Sequence, residues 1–185
     1  MKNIFEDQTH SKLDNLEKGH YENCEFVQCQ WQEGDLSQTI FSDCQFIECD
    51  LSMANLYNTA FRNVFFRECK LMGLRFDECN NLMMKMKFKG SILNMSSFYK
   101  LPLSKTIFTD CQLEEVDFEE AQLELAVFNN CNLMGAVFER SNLKSADFST
   151  ATNISIDPES NRVSQAIFNK ENALGLLSKY DIIFD

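Results

Sequence analysis

The sequence predicts an all-β solenoid: a four-sided coil of about seven to eight turns, closed by a short C-terminal helix. Three observations carry this. From Phe88 to Phe148 every fifth residue is Phe or Leu in strict alternation: Phe88, Leu93, Phe98, Leu103, Phe108, Leu113, Phe118 and onward. Two positions before these residues the side chain is mostly small, as at Ser91, Cys111, Ala121, Cys131 and Ala146. Sorted at a period of twenty, one column is pure Phe: Phe26, Phe46, Phe66, Phe88, Phe108, Phe128, Phe148 and Phe168. Neither a helix nor an ordinary strand holds one face at a spacing of five. A repeat this short buries a core only by stacking unit on unit.

The elements follow in order. Residues 1–19 are a polar lead-in or cap with Phe5, Leu13 and Leu16 as its apolar anchors, expected to form a strand and a loop on the first coil. Residues 20–168 are the coil. Its other columns read Trp31, Leu51, Leu71, Leu93, Leu113, Leu133; then Leu36, Leu56, Phe76, Phe98, Phe118, Phe138; then Tyr21, Phe41, Phe61, Met83, Leu103, Leu123, Leu143. Phe76 and Phe88 are twelve apart rather than ten, which places a two-residue insertion within 80–87. Past Phe148 the pattern decays through Asn153, Pro158 and Val163 before Phe168 restores it, predicting one irregular last coil. Residues 169–185 follow as a dimerisation element: Asn169 caps a helix over Lys170–Lys179 with Ala173, Leu174 and Leu177 on one side, then a strand-like tail.

Chemistry is sparse. The chain has no Ser–His–Asp spacing, phosphate-binding glycine loop or His-Glu-x-x-His motif, so a non-enzyme without catalytic residues or cofactor is expected. His10 and His20, the two histidines, read as exposed polar residues. All eight cysteines (Cys24, Cys29, Cys44, Cys49, Cys69, Cys79, Cys111, Cys131) fall on the small inward position, and no C-x₂-C pair suggests a metal. They are expected to be reduced structural thiols in a cytoplasmic protein. The first residues carry acids where a secretory signal would be apolar, and no apolar run is long enough to span a membrane.

Charge is uneven along an acidic chain of net charge −11. Residues 62–100 carry Arg62, Arg67, Lys70, Arg75, Lys85, Lys87, Lys89 and Lys100 against three carboxylates, whereas the flanking stretches are acidic. Lys85, Lys87 and Lys89 read as a solvated rim or an anion grip. Outward of the Leu36-to-Phe138 column stand Asp77, Glu78, Asp117, Glu119, Glu120 and Glu139, the candidate partner-binding face, among Arg75, Lys100 and Arg140. A third face points Met53, Met72, Met95 and Met134 outward beside Gly73 and Gly135.

The repeats Ala54-Asn55-Leu56, Cys131-Asn132-Leu133, Ser141-Asn142-Leu143 and Ala146-Asp147-Phe148 resemble the A(D/N)LXX unit of the pentapeptide-repeat proteins. The resemblance covers roughly residues 20–168 and implies a right-handed quadrilateral β-helix. The end of the chain, Ile156-Asp157-Pro158-Glu159-Ser160-Asn161 followed by Ala173-Leu174-Gly175-Leu176-Leu177, is similar to the Qnr-like and McbG-like branch. That similarity implies an end-to-end homodimer through residues 170–185, with Leu174, Leu177, Ile182 and Phe184 as its apolar contacts. It also implies mimicry of DNA toward DNA gyrase or topoisomerase IV, protecting the enzyme from quinolones or peptide toxins, without direct nucleic-acid binding. The alternative is an interaction scaffold for another protein, through the Met face or the basic rim.

Overall fold

A computed structural model describes residues 3–180 and 182. The chain is a parallel β-helix of about eight turns, with one short α-helix at its C-terminal end. The fully stacked face is a nine-stranded parallel sheet. It comprises β2 (Thr9–Ser11), β4 (Glu25–Val27), β6 (Gln45–Ile47), β8 (Val64–Arg67), β9 (Met86–Lys89), β10 (Ile107–Thr109), β11 (Val127–Asn129), β12 (Asp147–Phe148) and β13 (Ile167–Phe168). A four-stranded sheet joins β1 (Asn3–Glu6), β3 (Gly19–Glu22), β5 (Ile40–Ser42) and β7 (Ala60–Arg62). The remaining sides are held by single parallel bridges, such as Gln112 to Asn132 and Gln122 to Asn142.

Each member of the pentapeptide unit has its own place in the coil. Its small first member faces inward and ties a coil to the one before: Cys49 Sγ donates to the Phe26 carbonyl at 3.3 Å, Thr59 Oγ1 to Leu36 at 2.8 Å and Ser141 Oγ to Phe118 at 2.6 Å. An Asp or Asn in second place accepts the backbone N–H two residues on, as Asp50 does from Ser52 at 3.0 Å and Asp147 from Ser149 at 2.9 Å. The central Leu or Phe enters the core. The fifth member turns the corner with positive φ, for example Met53 at 58° and Glu115 at 55°. A non-glycine residue there costs roughly 1–2 kcal/mol. The N–H groups of Met53 and Glu115 offset this by donating to Met72 and Met134 of the following coil at 2.9 and 2.8 Å.

Stacking in register puts ring on ring. Along the Phe column successive centroids lie 4.8–5.3 Å apart, from Phe26 through Phe148 to Phe168. A second stack runs beside it and changes sides midway. In the first half it is Phe5, Tyr21, Phe41 and Phe61; from Phe76 it continues as Phe98, Phe118 and Phe138. Phe61 and Phe76 meet at 6.0 Å with tilted rings where the two stacks change over.

The insertion sits where the sequence put it. The strand register jumps from twenty to twenty-two between Val64 and Met86, and the four-stranded sheet stops at β7. Its effect on the fourth column differs from the expectation. Met83 is not inward: it is 73% exposed at φ 62°, and Met84 packs against the core instead. Leu82 and Met83 take the ordinary turn positions after Asn80, whose side chain accepts the Leu82 N–H at 3.0 Å, and Met84 and Lys85 are the extra residues before the next unit.

Two further readings are corrected. The histidines are not exposed. His10 pairs with Phe26 in register and stacks on its ring at 5.1 Å, heading the Phe column, and burial lowers its pKa. His20 is half-buried, with Nε2 3.0 Å from Ser42 Oγ. Residues 3–11 thus enter both sheets, but in a short first coil whose register offset is sixteen.

The helix is also shorter than expected. It spans Lys170–Gly175 (α1) and gives way to a 3₁₀ turn over Ser178–Tyr180. Asn169 caps it, accepting the Asn172 N–H at 2.7 Å. Asn172, rather than an apolar residue, faces inward: its amide donates to the Phe148 and Ala151 carbonyls at 3.2 and 2.6 Å. Leu176 packs on the core, while Leu174 is 47% exposed. The helix backbone passes so close to the last coil that a Cβ on Gly175 would lie 2.0 Å from the Ile154 oxygen. In the irregular coil Ile154 and Ile156 are buried in place of Asn153 and Pro158.

Seven of the cysteines are buried and Cys79 is half-buried; all are free thiols. Burial pushes Cys44 up to about 12 and raises Cys79 above the ordinary thiol range. Native protein should therefore react with a bulky aromatic disulfide at least about a hundredfold more slowly than denatured protein. Cys79 should label first. Rapid labelling of two or more buried sites would contradict the inward assignment.

Candidate partner-binding face

Because Phe76, Phe98, Phe118 and Phe138 stack in register, the residues after each also stand in columns on the outer surface. The first column is Asp77, Tyr99, Glu119, Glu139 and Glu159; the second, at the corner, is Glu78, Lys100, Glu120 and Arg140. The residues before them, Arg75, Ser97, Asp117 and Val137, are joined by parallel bridges. The structure therefore brings all six predicted carboxylates onto one side.

They are not equivalent. Arg75 grips Asp77 with two hydrogen bonds of 2.9 and 2.6 Å, leaving that side chain 11% exposed, and reaches Glu78 at 3.9 Å. The paired carboxylate raises the Arg75 pKa. Asp117 accepts from the Glu119 N–H at 2.8 Å and from Ser97 Oγ at 3.2 Å, so it serves the turn first. Glu120 sits between Lys100 and Arg140, 3.4 Å from each, and accepts from Tyr99 Oη at 3.4 Å. Desolvation pushes its carboxyl up, but the Lys100 and Arg140 contacts outweigh this and lower it overall. Arg140 also pairs with Glu119. Glu139 is exposed, and its carboxylate has no ion pair or hydrogen bond with the described residues.

Beyond Glu139 the face continues into the last coil. Lys179 bridges Asp157 and Glu159 at 2.7 Å each, and Tyr180 Oη donates to Glu159 at 2.8 Å. The Lys179 contacts lower both carboxyls and raise the lysine. From Arg75 onward eight carboxylates on this side thus face Arg75, Lys100, Arg140 and Lys179. The ladder stays acidic, but with cations interleaved. Sorting the corner column alone shows the alternation Glu78, Lys100, Glu120, Arg140, a signal already present in the sequence.

Of the predicted dimer contacts, Leu174 and Ile182 are exposed and Leu177 is half-buried; Phe184 lies outside the described residues. On the third face Met53, Met72 and Met95 line a groove of about 620 Å³, in which Met53 lies over Gly73. A Cβ on Gly73 would sit 2.2 Å from Met53 Sδ, so the notch at that corner is filled by the thioether. Among the described residues no group of His, Cys, Asp or Glu is arranged to hold a metal ion, and no helix is long and apolar enough to cross a membrane.

The family model described as "Pentapeptide repeat region" matches residues 14–98 and 81–154. The chain belongs to the pentapeptide-repeat family. This pentapeptide-repeat protein is similar in fold to full-length QnrB1, a plasmid-mediated fluoroquinolone resistance protein. The two are 16% identical over 97% of this chain and 100% of that one, with a TM-score of 0.55. A trypsin-treated variant of QnrB1 is 21% identical over 98% and 97%, with a TM-score of 0.49. HetL, from the cyanobacterium Nostoc sp. Strain PCC 7120, is 18% identical over 86% and 87%, with a TM-score of 0.32. No functionally curated protein matches the sequence.

Proposed function

We propose that this pentapeptide-repeat protein is a non-enzymatic cytoplasmic binding protein that engages DNA gyrase or topoisomerase IV as a DNA mimic and protects it from quinolones or peptide toxins. The observation that carries this reading is the carboxylate column Glu119 and Glu139, one acid per coil on the bridged stack, continued by Glu159 on the irregular last coil. Glu119 and Glu139 stand one bridged coil apart, about 4.8 Å. Duplex DNA presents one charge per about 1.7 Å of axis, so the column with its flanking acids is a sparser rod of the same sign. The full-length likeness to QnrB1 supports the same class of role.

Purified gyrase tests it. Binding is expected at low salt and should weaken steeply as salt rises, since exposed charges are screened beyond about 8 Å at physiological ionic strength. Binding that survives high salt would favour a scaffold working through the methionine groove instead.

The proposed homodimer forms end to end through the C-terminal element. Leu174 and Ile182 are exposed on that end, beyond the last coil. Replacing Leu174 and Leu177 together with Asp should give monomer by light scattering, with the β-sheet spectrum retained. An unchanged dimer would place the interface elsewhere.

A further inference from the structure

Beside the two-residue insertion lies a surface that the acidic face does not use. Its turn carries Leu82 and Met83, 63% and 73% exposed, and Met83 is the most exposed large apolar residue among those described. Beneath the turn is a groove of about 330 Å³ lined by Met83, Met84 and Pro102, with Lys85, Lys87 and Lys105 at its walls. Beside it, β8 and β9 place Phe65 next to Lys87 and Arg67 next to Lys89, and β10 adds Ile107 beyond Lys87.

The charges here differ in kind from those on the acidic face. There, Arg75, Lys100, Arg140 and Lys179 all pair with carboxylates of their own side. Arg67, Lys85, Lys87, Lys89 and Lys105 are exposed and form no ion pair with the described residues. In a chain of net charge −11, three unpaired cations thus line the groove at one apolar turn, and Arg67 and Lys89 continue the basic surface along β8 and β9.

We propose that this turn and the groove beneath it are a separate docking surface for a short acidic peptide segment of a partner protein. One apolar side chain of the segment fills the groove beside Met83 and Pro102. Its flanking carboxylates reach Lys85, Lys87 and Lys105. A peptide fits better than nucleic acid for two reasons. Lys87 and Lys105 belong to adjacent coils, so the patch spans only a few strand spacings of about 4.8 Å, the reach of a few peptide residues rather than a phosphate backbone. The stretches before and after it are strongly acidic and repel a long polyanion.

Fluorescence anisotropy with the full chain and a labelled peptide, Glu-Asp-Leu-Phe-Asp-Glu, tests this. Wild type should bind it, and more weakly at high salt. Lys85→Glu, Lys87→Glu and Lys105→Glu combined should weaken binding by at least about tenfold. Met83→Ser should weaken it several-fold, as should replacing the peptide's Leu and Phe with Ser. All four substitutions are at exposed positions, and a circular dichroism spectrum confirms the fold. Equal binding by wild type and the triple variant, or no binding by wild type, would overturn the proposal. A single-stranded oligonucleotide that displaces the peptide at equal concentration would assign the patch to nucleic acid and overturn it too. So would a wild-type oligomer that the triple variant dissolves, because the occupant would then be a second copy.

Discussion

Phe108→Ala should lower the stability of the fold by about 3–5 kcal/mol, the range for emptying a well-packed aromatic site. Phe108 is fully buried, stacks on Phe88 and Phe128 at 5.0 Å each, and meets Phe98 and Phe118 edge to face. Its removal breaks the column in the middle, and neighbours held in register cannot collapse into the space without breaking their own hydrogen bonds. Phe168→Ala is the matched comparison. Phe168 is half-buried and stacks on Phe148 only, at 5.2 Å, so the cost should be less than half as large. Each coil of a solenoid leans on its neighbours, so the mid-rod lesion should also lower the cooperativity of unfolding. Guanidinium melts of the two variants check both points. Equal losses would mean that the stacked column does not carry the stability of the rod.

Reversing four charges together should have the largest effect on function. Asp117→Lys, Glu119→Lys, Glu120→Lys and Glu139→Lys in one chain should reduce topoisomerase binding by at least about a hundredfold, because attraction becomes repulsion over the whole surface. Single substitutions should weaken binding a few-fold, and they should not be equal. Glu139, which pairs with no cation among the described residues, should matter most. Glu120 should matter least, since Lys100 and Arg140 already balance it. The fold should persist in the quadruple variant, because none of the four replaced side chains is in the core, and the one bond to backbone that is lost is that of Asp117 to the Glu119 N–H, one turn among many. Isothermal titration with purified gyrase measures the series. A flat series, or a quadruple variant that binds as wild type does, would exclude this face as the contact.

Much of the fold is legible in the sequence because the physics repeats. Every coil buries the same positions, so an error in one unit shows against the others, and the insertion near Asn80 appears as a simple change of phase. What the five-residue spacing missed lies where units are irregular. His10 takes the place of a Phe at the head of the column, and apolarity alone gives no hint of that. The first coil is shortened to an offset of sixteen, outside the period that the rest of the chain sets. Met83 is in phase with Leu103 by counting, yet it takes the positive-φ turn position of the preceding unit, and Met84 faces the core instead. In the last coil Ile154 and Ile156 displace the in-phase residues, and Gly175 interrupts the helix, where glycine is a poor helix former by about 1 kcal/mol. The acidic face was legible as a set of columns. The pairing within it was less so, because whether Arg140 reaches Glu119, Glu120 or solvent depends on rotamers rather than on spacing.

The most direct measurement is a gyrase supercoiling assay with a quinolone present, run with and without this protein and with the quadruple charge-reversal variant. The proposed function predicts that wild type restores supercoiling in a dose-dependent way, while the variant, folded by its spectrum, restores none. Equal restoration by both proteins would contradict recognition through the carboxylate face. No restoration by either would contradict protection of gyrase by this chain.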